Sequence, residues 1–502
     1  MGIITPEVVD ELKSSIGKGK VADDLATRIV HRFTHGPEVL LHEDWDDFTP
    51  GCVVFPETVE EVQEIVRIAD KYVIPIVPQG GRTCTYGAEG MRGCIAVDLA
   101  RMDKVIEYDE ANYRITVEAG MRAIDFIEFL AERGKMSLEF PTMNRASHMG
   151  SRASLHGYNK FECRWGSSGN HIKAIEVVLP NGKVLWVGRG TRFPCKSVMG
   201  YNLKDLFIGS RGTLGIITKI TERFIDIPPK YVYGIAAFED WTDGFRAYIN
   251  LKKPLMISAG VWRVKSYHKW YLSQAVQGML ELTWPEDVGA LTDYHILGYP
   301  EVVEACEKLV KRVIEECKGF WREDLPPTDF IGRMHETMEK YMGMAAIGTE
   351  RLETGGMGDR IVPFDPNIPD GNLIPFYEKH LEHLHKMIDG EHYPALADCM
   401  RVLSPGAPVA TDLAYTKLWG LLLANLKKFD EEARKEFRRW YWEWAELIWR
   451  YKGSLTATHG FMPRDMEIEF RKRELGEDYY ELMKIIKQAI DPKNIMNPKV
   501  IF

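Results

Sequence analysis

The segment from Pro56 to Gly90 constrains this chain more than any other. ETVEEVQEIVRIADKY places Val59, Val62, Val66 and Ala69 at helical spacing, the apolar run IPIVP reads as a strand, and the strand ends at Gly80 and Gly81 in QGGRTCTYGAEG. A helix, a strand and a paired-glycine turn bring backbone N–H groups close to whatever sits at the strand end, since no Cβ stands in the way. The glycine spacing matches neither G-x-G-x-x-G nor the P-loop, so a Rossmann or nucleotide-triphosphatase reading has no support.

The chain around this segment reads as mixed helix and strand. CIAVDL and YRITVEAG are strands, Ala123 to Arg133 is helical, and 142–170 is rich in Ser, Gly and His without periodicity. IKAIEVVL-PNGK-VLWVG predicts a hairpin in which Asn181-Gly182 forms a type I′ turn, and LGIITKITERF predicts a further strand before Pro228-Pro229 breaks the chain. Those prolines mark the first expected domain boundary. Beyond them YVYGIAAFE and ISAGVWRV read as strands, EVVEACEKLVKRVIEE as an amphipathic helix, 324–372 as loops, and 375–388 and 431–451 as helices. No internal repeat or low-complexity tract is visible.

The 502 residues suffice for two or three domains, and a net charge of −9 without a basic stripe gives no nucleic-acid binder. Apolar stretches such as 420–424 are far too short for a membrane span, and the opening residues do not read as a secretory signal, so the expectation is a cytoplasmic protein with no membrane span. Eight cysteines without any C-x-x-C give reduced thiols rather than a zinc ribbon or an iron–sulfur cluster.

Four stretches together, VPQGGRTCTYG with IAVDLARMDKVIEYD and ITVEAG, RASHMGSRASLHG to WGSSGNHIKAIEVVLPNG, GYNLKDLFIGSRGTLGIIT, and DPKNIMNPKVIF, carry a family resemblance in their order and spacing. The chain resembles the FAD-linked oxidases, the family of vanillyl-alcohol oxidase, p-cresol methylhydroxylase, FAD-linked D-lactate dehydrogenase and the glycolate oxidase flavin subunit. The resemblance implies an α+β fold with a two-subdomain FAD-binding domain of the vanillyl-alcohol oxidase type, plus a cap with an antiparallel sheet and flanking helices. It places an N-terminal arm and the FAD domain at 1–227, the cap at 228–450, and a C-terminal return to the FAD domain at 451–502.

It also implies that Gln79, Gly80, Gly81, Arg82, Thr83 and Thr85 hold the pyrophosphate of a non-covalently bound FAD. Pro141, Ser147, Gly150, Ser151, Ser154 and Gly157 would line the other side of the cofactor, followed by Gly166 and Asn170, with main-chain groups of Ile216 and Ile217 at the adenine end. Relatives that tether the flavin use a His after the paired glycines, where this chain has Arg82; Cys84, Cys163 and Tyr415 are the residues a tether could otherwise use.

For chemistry, His459 in TATHGFMPRD falls where the hydroxy-acid branch carries a histidine, and imidazole can accept a proton near neutrality. Arg401, Asp412 and Tyr415 fall in a stretch that lines the substrate side in relatives. The metal-dependent members' His-Gly-Asp motif is missing; His380, His383 and His385 are read as a solvated helix face, and no catalytic metal is expected. Phe437, Trp440, Tyr441, Trp444 and Ile448 form a buried aromatic stripe, leaving Trp442 and Trp449 for a partner subunit in a possible homo-oligomer.

The expected function is FAD-dependent dehydrogenation of a small alcohol or 2-hydroxy acid by hydride transfer to flavin N5, the electrons passing either to oxygen or to a separate redox partner protein, with the partner favoured. The alternatives are oxidation of an aromatic alcohol or alkylphenol, or a flavin-bearing electron-transfer subunit.

Overall fold

The computed structural model describes residues 4–32, 38–42, 44–84, 87–141, 145–188, 199–269, 285–322, 359–411, 413–457 and 464–501. The chain forms two compact units: Met1–Asn159 with Ser167–Ile227 and Met462–Phe502, and Lys160–Gly166 with Pro228–Phe461. Two short stretches thus fall elsewhere than the sequence suggests. Lys160–Gly166 lies with the second unit, and so does 451–457, because Ser454 and Asn367 exchange backbone hydrogen bonds of 2.9 Å in both directions.

The first unit carries two sheets. One is built from β1 (Val21–Ala22), β2 (Cys52–Val54), β3 (Ile76–Gln79) and β4 (Ile95–Asp98) in the order β1-β2-β4-β3, with β4 parallel to both β2 and β3. The helix Val59–Tyr72 joins β2 to β3. Thr58 caps it by accepting from the Glu61 N–H at 3.3 Å, and its buried face is Val62, Ile65, Val66, Ile68 and Ala69. The other sheet runs β5-β6-β10-β8-β9, with β7 (Lys135–Ser137) added on β10. Its strands are β5 (Val105–Asp109), β6 (Arg114–Glu118), β8 (Ile172–Val178), β9 (Val184–Gly188) and β10 (Ile216–Asp226).

The β8–β9 hairpin differs from the type I′ expectation. Gly182 N–H bonds to Leu179 C=O at 2.8 Å, so Pro180 and Asn181 are the central residues, and only Gly182, at φ +75°, is left-handed. Proline's fixed φ suits the first central position of an ordinary turn, and Gly182 then absorbs the extra residue as a bulge. The stretch 142–170 also holds helices that periodicity could not reveal, Met149–Leu155, Glu162–Trp165 and Ser168–His171. At seven residues or fewer, they complete at most two turns.

The second unit has one antiparallel sheet in the order β11-β13-β12-β16-β17-β14, with β15 on β17. The strands are β11 (Lys230–Phe238), β12 (Val261–His268), β13 (Ala290–Gly298), β14 (Asp359–Phe364), β15 (Asn367–Pro369), β16 (Met400–Ala410) and β17 (Tyr415–Asn425). β14 and β15 fall in a span read as loops. Pro363 and Pro366 hide them, and an edge position tolerates the missing donors.

One face of this sheet packs on the helices Trp241–Leu251, Leu373–Ile388 and Glu431–Arg450. Trp440 and Trp444 stack at 5.9 Å, and the stripe from Phe437 to Ile448 is buried. His380 and His383 are buried as well, correcting the solvated-face reading. His380 Nε2 faces Pro405 C=O at 2.8 Å while Trp444 Nε1–H donates to His380 Nδ1, and His383 Nε2 faces Trp440 C=O at 3.0 Å. The sequence shows that two of the three share a helix side, but not that an aromatic helix covers it.

Candidate functional site

β3 ends at Gln79, and the turn that follows opens a cleft within the first unit. Gln79, Gly80, Arg82, Thr83, Gly150, Ser151, Ser154 and Ile217 line it, bringing together eight positions from three separate parts of the sequence. Close approach explains the small residues. A Cβ on Gly80 would stand 3.1 Å from Ser151 Cβ, one on Gly81 1.6 Å from the Ala146 carbonyl oxygen, and one on Gly150 2.6 Å from Ala119 Cβ.

Arg82, rather than either glycine, adopts the left-handed conformation, at φ +51°. That geometry is uncommon for a residue with a Cβ, and side-chain bonds hold it here. Arg82 Nη1–H donates to Asp98 Oδ2 at 3.2 Å, His31 Nε2 contacts the same oxygen at 3.0 Å, and Ala100 N–H donates to Asp98 Oδ1 at 2.9 Å. Burial alone would raise the Asp98 carboxyl, but the His31 and Ala100 bonds and the Arg82 charge outweigh it and hold it below the usual value. The result is a guanidinium anchored at the cleft wall, a group suited to a diphosphate.

Three further features of the cleft lie outside the residues singled out from sequence. Arg211, Gly212 and Gly215 line it from the loop GSRGTLG, with Gly212 at φ +72° and its Cβ position 2.9 Å from Pro78 Cγ. The C-terminal motif acts as a brace. Asn497 Nδ2–H donates to Gly87 C=O at 2.8 Å and Arg211 C=O at 2.6 Å, while its backbone N–H bonds to Ile76 C=O. Asp491 accepts the Ile495 and Met496 N–H groups, and Lys487 Nζ joins Asp491 to the Thr213 and Met496 carbonyls. Polar residues late in a chain beside a strand-like pair of hydrophobics were the available signal. Their partners, hundreds of residues away, were not.

Other sequence candidates stand apart from this cleft lining. Gly81 is in the turn but faces Ala146, the Ser147 carbonyl accepts the Ala123 N–H at 2.8 Å, and Pro141 is buried. Gly157 packs on the Arg152 guanidinium, Asn170 sits in the helix Ser168–His171, and Ile216 pairs with Val178. Gly166 belongs to the second unit. Thr85, Asp412 and His459 lie outside the described residues.

In the second unit Arg401 and Tyr415 are not brought together. On the β16–β17 ladder Arg401 faces Leu423, eight positions along the strand from Tyr415, a separation of about 27 Å at strand rise. The Arg401 guanidinium instead donates to the Ala397 and Met400 carbonyls. Both ring nitrogens of His380 are engaged as described, so that residue cannot serve as a metal ligand without losing a bond. Among the described residues, the grouping with metal-ligand spacing is Asp389, Glu391 and His392, all exposed.

The cleft residues fit a dinucleotide. Gln79 spends its amide N–H groups on His31 C=O and Ala88 C=O, leaving a buried Oε1 with no partner at the cleft wall, and glycines keep the wall clear of side chains. Comparison with known proteins agrees. Residues 50–188 match the family described as FAD binding domain, and 421–501 match FAD linked oxidases, C-terminal domain. This protein is an FAD-dependent oxidoreductase with an FAD-binding domain of the vanillyl-alcohol oxidase type.

The chain belongs to the FAD-linked oxidase family. It is 33% identical over 509 aligned positions to the mitochondrial D-lactate dehydrogenase [cytochrome] of Arabidopsis thaliana, covering 99% of this chain and 80% of that protein. It is 27% identical to glycolate oxidase subunit GlcD of Bacillus subtilis (strain 168), covering 100% and 97%. Its fold matches p-cresol methylhydroxylase with a TM-score of 0.76 at 18% identity, over 98% of this chain and 96% of that one. Among the described residues, no helix is long and apolar enough to cross a membrane.

Proposed function

We propose that the protein dehydrogenates a small 2-hydroxy acid. The observation that carries this reading is full-length similarity to proteins named D-lactate dehydrogenase and D-2-hydroxyglutarate dehydrogenase, the latter from Stutzerimonas stutzeri (strain A1501) at 24% identity over 99% of both chains. Bound FAD supplies a two-electron acceptor for the substrate C–H hydride.

The chain's own residues do the rest. The turn at Gln79–Thr83 and the helix carrying Gly150, Ser151 and Ser154 hold the cofactor, with Arg82 set by Asp98 and His31 against the diphosphate charge. His459 accepts the substrate hydroxyl proton, supported by its sequence position alone. Binding is non-covalent. The Cys163 thiol is buried in the second unit, donates to Trp262 C=O at 3.0 Å and is pushed up to about 12 by burial, which withholds the thiolate a tether requires.

A separate redox protein takes the electrons, a reading supported by the cytochrome in the Arabidopsis relative's name. A cytoplasmic location and self-association complete the reading, the latter motivated by Trp442 and Trp449 lying off the buried aromatic stripe. The test is anaerobic bleaching of the bound flavin by D-lactate, D-2-hydroxyglutarate, glycolate and benzylic alcohols. Bleaching by hydroxy acids supports the proposal, whereas bleaching by benzylic alcohols alone replaces it with aromatic alcohol oxidation.

A further inference from the structure

The segment 24–32 of the N-terminal arm ends beside the cofactor cleft, yet its helix, Leu25–Val30, buries none of its side chains. Leu25 and Val30, the apolar residues at its two ends, are 60% and 57% exposed. Hydrogen bonds at the C-terminal end hold it instead. Arg28 Nε–H donates to Pro50 C=O at 2.7 Å, Arg32 Nε–H donates to Thr49 Oγ1 at 2.7 Å, and Arg32 C=O accepts the Gly90 N–H at 2.7 Å. A six-residue helix has little stability of its own, so its docking is open to bias by whatever shares those bonds.

His31, directly after the helix, is buried and reaches both polar groups of the cleft wall. Its side chain acts on Arg82. Nε2 lies 3.0 Å from the Asp98 oxygen that accepts the Arg82 Nη1–H, while Nδ1 faces Thr27 C=O at 2.8 Å within its own helix. Its main chain acts on Gln79. The His31 carbonyl accepts one Gln79 Nε2–H at 3.0 Å, and Ala88 C=O accepts the other at 2.7 Å. Carbonyls can only accept, so this pair fixes which end of the amide meets them and leaves Oε1 as the end without a partner. The seating is close, since a Cβ on Gly90 would stand 3.0 Å from the His31 carbonyl oxygen.

We propose that His31 is a positioning residue for FAD, and that the cofactor and the segment 24–32 stabilise one another through it. With the segment docked, His31 holds Asp98 against Arg82 and the Gln79 amide against its two carbonyls, so the cleft offers a fixed guanidinium to the diphosphate. With the segment lifted away, Asp98 loses one of its partners and Gln79 one of its acceptors, and both cleft groups gain freedom that FAD must then remove. FAD therefore binds the docked form more tightly, and by reciprocity it favours docking by the same factor. The inference needs FAD in this cleft and no particular substrate.

Two measurements test it together: titration of apoprotein with FAD, followed by flavin fluorescence, and hydrogen exchange of the Arg28, His31 and Arg32 amides, which bond within the segment, in apoprotein and holoprotein. His31→Ala should weaken FAD binding about tenfold, and His31→Gln, whose amide can still donate to Asp98, should stay within about threefold of the parent. Arg82→Met should weaken FAD about tenfold or more by itself. Adding His31→Ala to it should then cost about threefold at most, because the group through which the histidine acts is gone. Saturating FAD should slow exchange of the three amides about tenfold in the parent and hardly at all in His31→Ala. A residue that only stabilised the fold would show neither the rescue by glutamine nor the dependence on Arg82. The parent's exchange with and without FAD needs no variant, so the test stands even if His31→Ala does not fold.

His31→Ala binding FAD within threefold of the parent, an equal loss with and without Arg82, or exchange in the segment that FAD leaves unchanged overturns the proposal. One of these results beside a weakened Arg82→Met defeats this inference alone. Arg82→Met that binds FAD as the parent does removes the placement of Arg82 against the diphosphate, and this inference with it.

Discussion

Gly81→Ala should nearly abolish FAD binding, and the geometry sets the scale. The new Cβ would stand 1.6 Å from the Ala146 carbonyl oxygen and 2.8 Å from its carbon, whereas non-bonded carbon atoms sit at roughly 3.5 Å or more. Either the Gly81 turn or the Ala146 backbone must therefore retreat by well over an ångström. The Ala146 side is tethered next door, since Ala123 N–H bonds to Ser147 C=O at 2.8 Å and Met149 N–H to Met121 C=O at 2.9 Å. The glycine turn moves instead, taking Gly80 and Arg82 with it.

Forcing in an extra methyl costs about 1–3 kcal/mol of stability, and losing one or two hydrogen bonds to a charged diphosphate costs about 2–4 kcal/mol of binding, or roughly 30- to 1,000-fold in Kd. Gly80→Ala gives the comparison. Its Cβ would meet Ser151 Cβ at 3.1 Å and Oγ at 3.2 Å, contacts that a few tenths of an ångström relieve, so its loss should stay below about tenfold. Gly19→Ala, with nothing within 4 Å, is the control. Titrating apoprotein with FAD and following quenching of flavin fluorescence measures all three. A Gly81→Ala protein that binds FAD within threefold of the parent would refute the argument that this contact sets the turn.

Lys487→Met leaves Asp491 buried and removes the donor to the Thr213 and Met496 carbonyls, so it should cost about 3–5 kcal/mol, read as a fall in the urea midpoint that added FAD partly restores. Burial pushes His380 down to about 3 and His383 to about 4, so between pH 6.5 and 4 the unfolded chain binds protons the folded one does not. Stability is therefore full above pH 6.5 and should fall by about 1.4 kcal/mol per histidine per pH unit below it; urea melts that stay flat from pH 7 to 5 would count against this. His459→Asn should keep its flavin but lower substrate-driven reduction by about 10² or more, and stopped-flow reduction at the parental rate would remove His459 from the mechanism. Acid precipitation should release yellow FAD into the supernatant, while a pellet that stays coloured would point to Cys84 or Tyr415 as a tether.

Sequence alone determined the local elements whose signals are local. The helix before β3, the paired-glycine turn, the aromatic stripe of Glu431–Arg450 and the ordered motifs of the FAD domain were all legible, because a 3.6-residue period or a glycine after a strand is written within a few consecutive residues. The hairpin was legible too, though its turn type was decided by Pro180 rather than Asn181. What the sequence could not disclose were relations between distant residues. His31, Asp98 and Arg82 span 67 positions at the widest, and Asn497 reaches Gly87 across 410.

The same limit separates Arg401 from Tyr415. They are near in sequence but far apart on the β16–β17 ladder, because Tyr415 lies beside the turn, where Ala410 pairs with Thr416, while Arg401 lies at the far end of its strand opposite Leu423. A side chain's period fixes which way it points, but only the tertiary fold decides what it meets there.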